Sequence, residues 1–126
     1  MKEEHSTTLG YISACIAGDY RYLTRIDVVL DTRDGTVEVR RLENDAISGM
    51  DGPGCAHHMD VRQRVTIAKP TGKEIVRAVR MVMDVTVRRY GKPSKRFHWK
   101  TREGDKVGLS AERAQSALDH GRLLGR

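Results

Sequence analysis

With 126 residues, 38% hydrophobic and 32% charged, the chain has room for one domain with a real core. No run approaches the roughly 20 apolar residues of a membrane span, and the opening MKEEHSTT is acidic and polar where a signal peptide would be basic. A cytoplasmic protein with two free thiols, Cys15 and Cys55, is expected, and the formal charge of +6 favours an anionic partner over a membrane.

Residues 1–7 read as a disordered lead-in, and residues 8–126 as a single α+β domain. Leu9, Ile12 and Ile16 recur at helical spacing, so Thr8 to Ala17 is expected as a short helix ending at Gly18. Tyr22, Thr24, Ile26, Val28 and Leu30 then alternate with polar neighbours, the pattern of a strand with one apolar face. Asp34-Gly35 supplies a tight turn, and Val37 and Val39 continue the buried face, giving a hairpin over 21–42. Asn44 to Asp60 is a long loop rich in Gly, Asp and Pro. Val61, Gln63, Val65 and Ile67 predict a strand over 61–68, with Arg62, Arg64 and Thr66 on its outer side.

Thr71-Gly72-Lys73 lacks the second glycine and the Ser or Thr of a phosphate loop. Thr71 followed by Glu74 instead reads as a capping box opening a helix over 72–90. Ile75, Val79, Val82, Met83 and Thr86 fall on its inner side, and Arg77, Arg80, Asp84 and Arg88 on its outer side. Gly91 and Pro93 end it. A basic strand over 95–102 follows, then a turn at Glu103-Gly104-Asp105 and a short strand expected from Val107 to Leu109. Ser110 caps a last helix over 111–124 with an inner stripe of Ala114, Ala117, Leu118, Gly121 and Leu124. The sum is a predominantly antiparallel sheet with a long helix and a C-terminal helix packed against it.

Charge is segregated along this order. Residues 1–61 hold 6 cations and 11 acids, residues 62–102 hold 13 and 2, and residues 103–126 hold 4 of each. The densest stretch, RRYGKPSKRFHWKTR, carries Arg88, Arg89, Lys92, Lys95, Arg96, Lys100 and Arg102 with no acid. Tyr90, Phe97, His98 and Trp99 are interleaved with them. Cations that neutralise phosphates, mixed with rings that can stack on bases, are the equipment of single-stranded nucleic-acid binders. As a strand, the segment puts Lys95, Phe97, Trp99 and Thr101 on one face and Arg96, His98, Lys100 and Arg102 on the other. If the rings turn inward, base stacking is lost, but a row of basic groups about 6.6 Å apart remains.

Two other constellations could carry chemistry. Cys55, His57, His58 and Asp60 are competent metal ligands in a glycine-rich loop, but their spacing lacks any CxxC or HxxxH pair, and a solvated loop is the simpler reading. The run RIDVVLDTRDGTVEVRR resembles the metal-binding hairpin of PD-(D/E)xK nucleases. That resemblance implies Asp27 and Glu38 as ligands of a divalent ion, with Arg40 standing in the lysine position. Arginine is a poor substitute for a tuned lysine, and a carboxylate row paired across strands with Arg25 and Arg40 is the competing reading.

The function expected from the sequence is therefore a small, non-enzymatic nucleic-acid-binding protein without a cofactor. Single-stranded DNA or RNA is favoured as its ligand. Residues 88–102 are its primary contact, and Arg62, Arg64, Arg77 and Arg80 a second tier. A metal-dependent nuclease and a protein-binding or inhibitory module that docks an acidic protein are the alternatives. The composition is compatible with a monomer or a homo-oligomer.

Overall fold

The structure, a computed structural model, describes residues 5–15, 23–44, 59–90, 97–101 and 108–124. In chain order these form β1 (Ser6–Cys15), β2 (Leu23–Asp31), β3 (Val37–Asn44), β4 (Met59–Ile67), α1 (Gly72–Tyr90), β5 (His98–Trp99) and α2 (Ala111–Leu124). The strands make a five-stranded antiparallel sheet in the order β4-β3-β2-β1-β5. With its two helices this is the expected α+β fold.

Alternation sets the two faces of the sheet. Ile26, Val28 and Leu30 on β2 and Val37 and Val39 on β3 point to one side and are buried. Both helices cover that side. Ile75, Val79 and Val82 of α1 and Ala114, Ala117 and Leu118 of α2 join the strands in one core cluster. α1 lies over β2, β3 and β4, while α2 lies over β1 and β5 and packs beside α1. The inner stripe of α2 stops at Gly121, because Leu124, expected inside, is exposed. Between β2 and β3, Gly35 has φ 76°, a left-handed conformation in which glycine carries no steric penalty. Asp31 closes the turn, its carbonyl accepting from Gly35 N at 2.9 Å.

Residues 8–15 of the segment expected as a helix over 8–17 belong instead to strand β1, which begins at Ser6, inside the stretch expected as a disordered lead-in, while residues 16–18 lie outside the described residues. The cause is a β-bulge. Thr8 pairs with Val29 and Gly10 with Val28, so Leu9 is an extra residue with no partner of its own. The bulge turns Leu9 and Ile12, three residues apart, to the same buried face and so imitates a helical interval. Gly10 then lies opposite Trp99 of β5. A Cβ at Gly10 would fall 2.5 Å from Trp99 Cε3 and 2.7 Å from Phe97 Cε1, so the bare backbone makes room for both rings. Of the basic strand expected over 95–102, β5 covers His98 and Trp99 among the described residues, and Gly108 to Ser110 do not form the short strand expected at 107–109.

Candidate nucleic-acid interface

The helix α1 starts as its sequence requires. Thr71 Oγ1 accepts from Glu74 N at 3.2 Å, and the Thr71 carbonyl accepts from Ile75 N at 3.0 Å. At 100° per residue, Lys73, Arg77, Arg80, Asp84 and Arg88 fall within about 80° of arc, and all five are exposed. Ile75, Val79, Val82 and Thr86 occupy the opposite side and are buried. The stripe is thus the solvent face of an amphipathic helix, with four cations and one acid. Arg77 approaches Glu74 at 3.7 Å, but its side chain keeps 75% of its exposure. Such a surface pair contributes about 0 to 1 kcal/mol, too little to withdraw the guanidinium from another anion. Arg88 Nε donates to the Asp84 carbonyl at 3.4 Å, which leaves its charge unneutralised. Lys73 and Arg80 make no ion pair among the described residues.

Beside this stripe, between α1 and the start of α2, runs an open groove of about 640 Å³. Lys73, Arg77 and Arg80 form its charged wall, with Asp84 at one point. Val76, Met81 and Leu109 supply apolar lining, and Met81 is 49% exposed. Ser110, also at the groove, caps α2 by accepting from Arg113 N at 3.2 Å. The helix starts are tied together by Gly72 N, which donates to Gln115 Oε1 at 2.8 Å.

The aromatic residues of the basic stretch have a different fate from the one a stacking surface needs. Phe97 is 3% exposed and Trp99 is fully buried, their ring centroids 4.5 Å apart. Both belong to the core, so neither can stack on a base, and that part of the sequence expectation is corrected. His98, on the opposite side of β5, is half-buried and stacks on Tyr11 with centroids 5.2 Å apart. Its Nδ1 is buried without a hydrogen-bond partner among the described residues. Lys100 is exposed, and its backbone N donates to the Leu9 carbonyl at 2.8 Å. Lys92, Lys95, Arg96 and Arg102 lie outside the described residues, as do the side chains of Arg89 and Tyr90.

Arg62 and Arg64 are exposed, but they sit on β4, on the face of the sheet away from α1. The second tier of cations is therefore divided. Arg77 and Arg80 share a surface with Lys73 and Arg88, while Arg62 and Arg64 do not join it. Arg62 also approaches Asp60 at 3.9 Å.

On that outer face a single row crosses all five strands: Arg64, Arg40, Asp27, Tyr11 and His98, each opposite the next. It contains Asp27 and Arg40 of the run that resembles a nuclease hairpin, while Glu38, opposite Val29 and Thr66, lies outside the row. Asp27 Oδ2 accepts from Arg25 at 2.7 Å, and Glu38 accepts from Arg40 Nε. The pairs run along each strand, not across strands as expected. Asp27, Glu38 and Arg40 thus form neutralised pairs, with each carboxylate turned to its own arginine. Among the described residues no three His, Cys, Asp or Glu side chains gather where they could hold a metal ion. Asp60 is exposed beside Arg62, and Cys55, His57 and His58, the other competent metal ligands of that loop, lie outside the described residues.

Lys73 and the groove residues Met81 and Leu109 were not singled out by the sequence. Lys73 could have been found, since it precedes Arg77 by about one helical turn. The groove depends on how α1 and α2 meet, which periodicity does not encode. Compared with models of protein families, with curated proteins and with solved structures, the chain matches none.

Proposed function

We propose that the protein binds nucleic acid, single-stranded DNA or RNA in preference to duplex, and that it does so as a binding protein without catalysis. One observation carries the reading: Lys73, Arg77, Arg80 and Arg88 stand exposed in one stripe along α1 with a single acid among them. A helix face of this kind follows a phosphate chain, each contact releasing condensed counterions. The stripe leads, in sequence, into Arg88–Arg102, where seven cations stand without an acid. Recognition by phosphate contact survives the burial of Phe97 and Trp99, because it needs charge and reach but no ring.

The double variant Arg77→Glu/Arg80→Glu tests this by fluorescence anisotropy with labelled oligonucleotides at low salt. Affinity should fall by roughly a hundredfold or more, and the slope of log K against log salt should shallow by about 1.4, at about 0.7 per lost phosphate on a single strand. Unchanged affinity and slope for DNA and RNA alike would falsify the assignment. A partner captured from nuclease-treated extract by wild type, and lost with the variant, would point instead to an acidic protein.

A further inference from the structure

We infer that the groove between α1 and the start of α2 seats an unpaired nucleobase of the bound strand, and that this seat distinguishes single strands from duplex. The inference rests on the nucleic-acid reading and adds to it the element that phosphate contacts cannot supply. Phosphate contacts fix position on the strand but do not read the bases. A surface that meets the base itself adds that reading, and the buried Phe97 and Trp99 are not that surface.

The groove has the chemistry that the task requires. One wall carries Lys73, Arg77 and Arg80, the same cations that face solvent on the stripe. Val76, Met81 and Leu109 give the lining its apolar part, with Val76 buried and Met81 open to water. With three cations and one acid, Asp84, the lining has a net positive charge that suits an anionic ligand. An inorganic anion would use the cations and leave the apolar lining wet. A purely apolar ligand would bury the cations without a counter-charge, which is costly. A nucleotide satisfies both, its phosphates on the wall and its base against the methionine. The volume of about 640 Å³ lies within the roughly 300 to 1,000 Å³ of small-molecule sites.

Met81 is the decisive residue. Nearly half of its surface, 49%, is open, and at 100° per residue it falls about 20° beyond Arg88, at the edge of the cationic stripe. A thioether is polarizable and adaptable, and it makes favourable contacts with aromatic rings. A base of either size can rest on it without a shape-specific pocket, so the seat is expected to be tolerant of sequence. A duplex keeps its bases stacked and paired inside the helix and has none to offer.

The experiment uses the full chain labelled with ¹³C at the methionine methyls. Adenosine monophosphate and a thymidine 15-mer should each move the Met81 methyl upfield by the ring current of the seated base, and ribose 5-phosphate should not. In parallel, Met81→Gln keeps the length, charge and helix preference of the side chain and removes its apolar character. The ratio of single-strand to duplex affinity should fall roughly two- to tenfold in that variant. An oligonucleotide that binds while the Met81 methyl stays still overturns the base seat and leaves the phosphate reading standing. A methyl that answers to a polyglutamate peptide and to no nucleotide also overturns it. If no oligonucleotide binds at all, it is the nucleic-acid reading itself that falls.

Discussion

Gly10 is where the sheet and the largest side chain of the core meet, and its lack of a Cβ has a measurable price. An alanine there would put its methyl 2.5 Å from Trp99 Cε3 and 2.9 Å from the His98 carbonyl. A ring can tilt aside, but the carbonyl is backbone of β5, which pairs with β1. Gly10→Ala should therefore cost about 1 to 3 kcal/mol, the usual range for overpacking, read from urea denaturation. An unchanged midpoint would show that β5 is free to move. Asp34, in the β2–β3 turn, offers a second test. Its carboxyl is held below the ordinary aspartate range by hydrogen bonds from Thr36 N at 3.0 Å and Thr36 Oγ1 at 2.7 Å. A depressed pKa means that the turn gains from the ionised form above the ordinary value and loses that gain as pH falls through the lower, folded one. The Thr36 amide resonance should therefore titrate below the ordinary aspartate midpoint, and Asp34→Asn should abolish the transition. A midpoint at or above the ordinary value would mean the hydrogen bonds do not favour the charge.

At the scale of elements, what could be read from the chain depended on whether a local pattern was left undisturbed by its neighbours. α1 begins at Gly72 and ends at Tyr90, and α2 runs from Ala111 to Leu124. Their capping residues and apolar spacing act locally, so the sequence stated those bounds. The β-branched run Val85-Thr86-Val87 does not break α1, because Thr86 is buried against the sheet and its Oγ1 donates to the Val82 carbonyl at 3.1 Å. β1 was illegible for the opposite reason. Its extra residue, Leu9, exists only relative to β2, and a single strand carries no mark of its partner's register. The candidate site divides in the same way. The cations of α1 follow from helical periodicity, while the inward turn of Phe97 and Trp99 was one of two faces a strand allows and was decided by space over Gly10. Because Trp99 is the sole tryptophan and is sealed in the core, its emission should be that of a buried indole. It should also stay unchanged as an oligonucleotide binds; quenching at saturation would show that the ring is reached after all.

Across the whole molecule, the two faces carry arginines of different standing, and that difference is open to measurement. Arg25 and Arg40 on the outer face of the sheet are engaged by Asp27 and Glu38, with their side chains 34% and 28% exposed. Arg41, on the helix-covered face, is buried against Glu43. These acids come from the first half of the chain, where 11 acids meet 6 cations, so the hairpins largely satisfy themselves. The cations of α1 face one another and the solvent. Long-range attraction of a polyanion depends on charge that is not already compensated, so the helical side should dominate binding although both sides contain arginine. Four phosphate contacts from Lys73, Arg77, Arg80 and Arg88 would give a salt slope of about −2.8 on a single strand, and any contact from residues 92–102 would steepen it. Single neutralisations separate the two faces. Arg80→Gln should lower the slope by about 0.7, whereas Arg40→Gln should leave the slope as it was and reduce stability instead, since Glu38 loses its partner. Equal slopes for wild type and Arg80→Gln, with a shallower one for Arg40→Gln, would move the interface from the helix to the open face of the sheet.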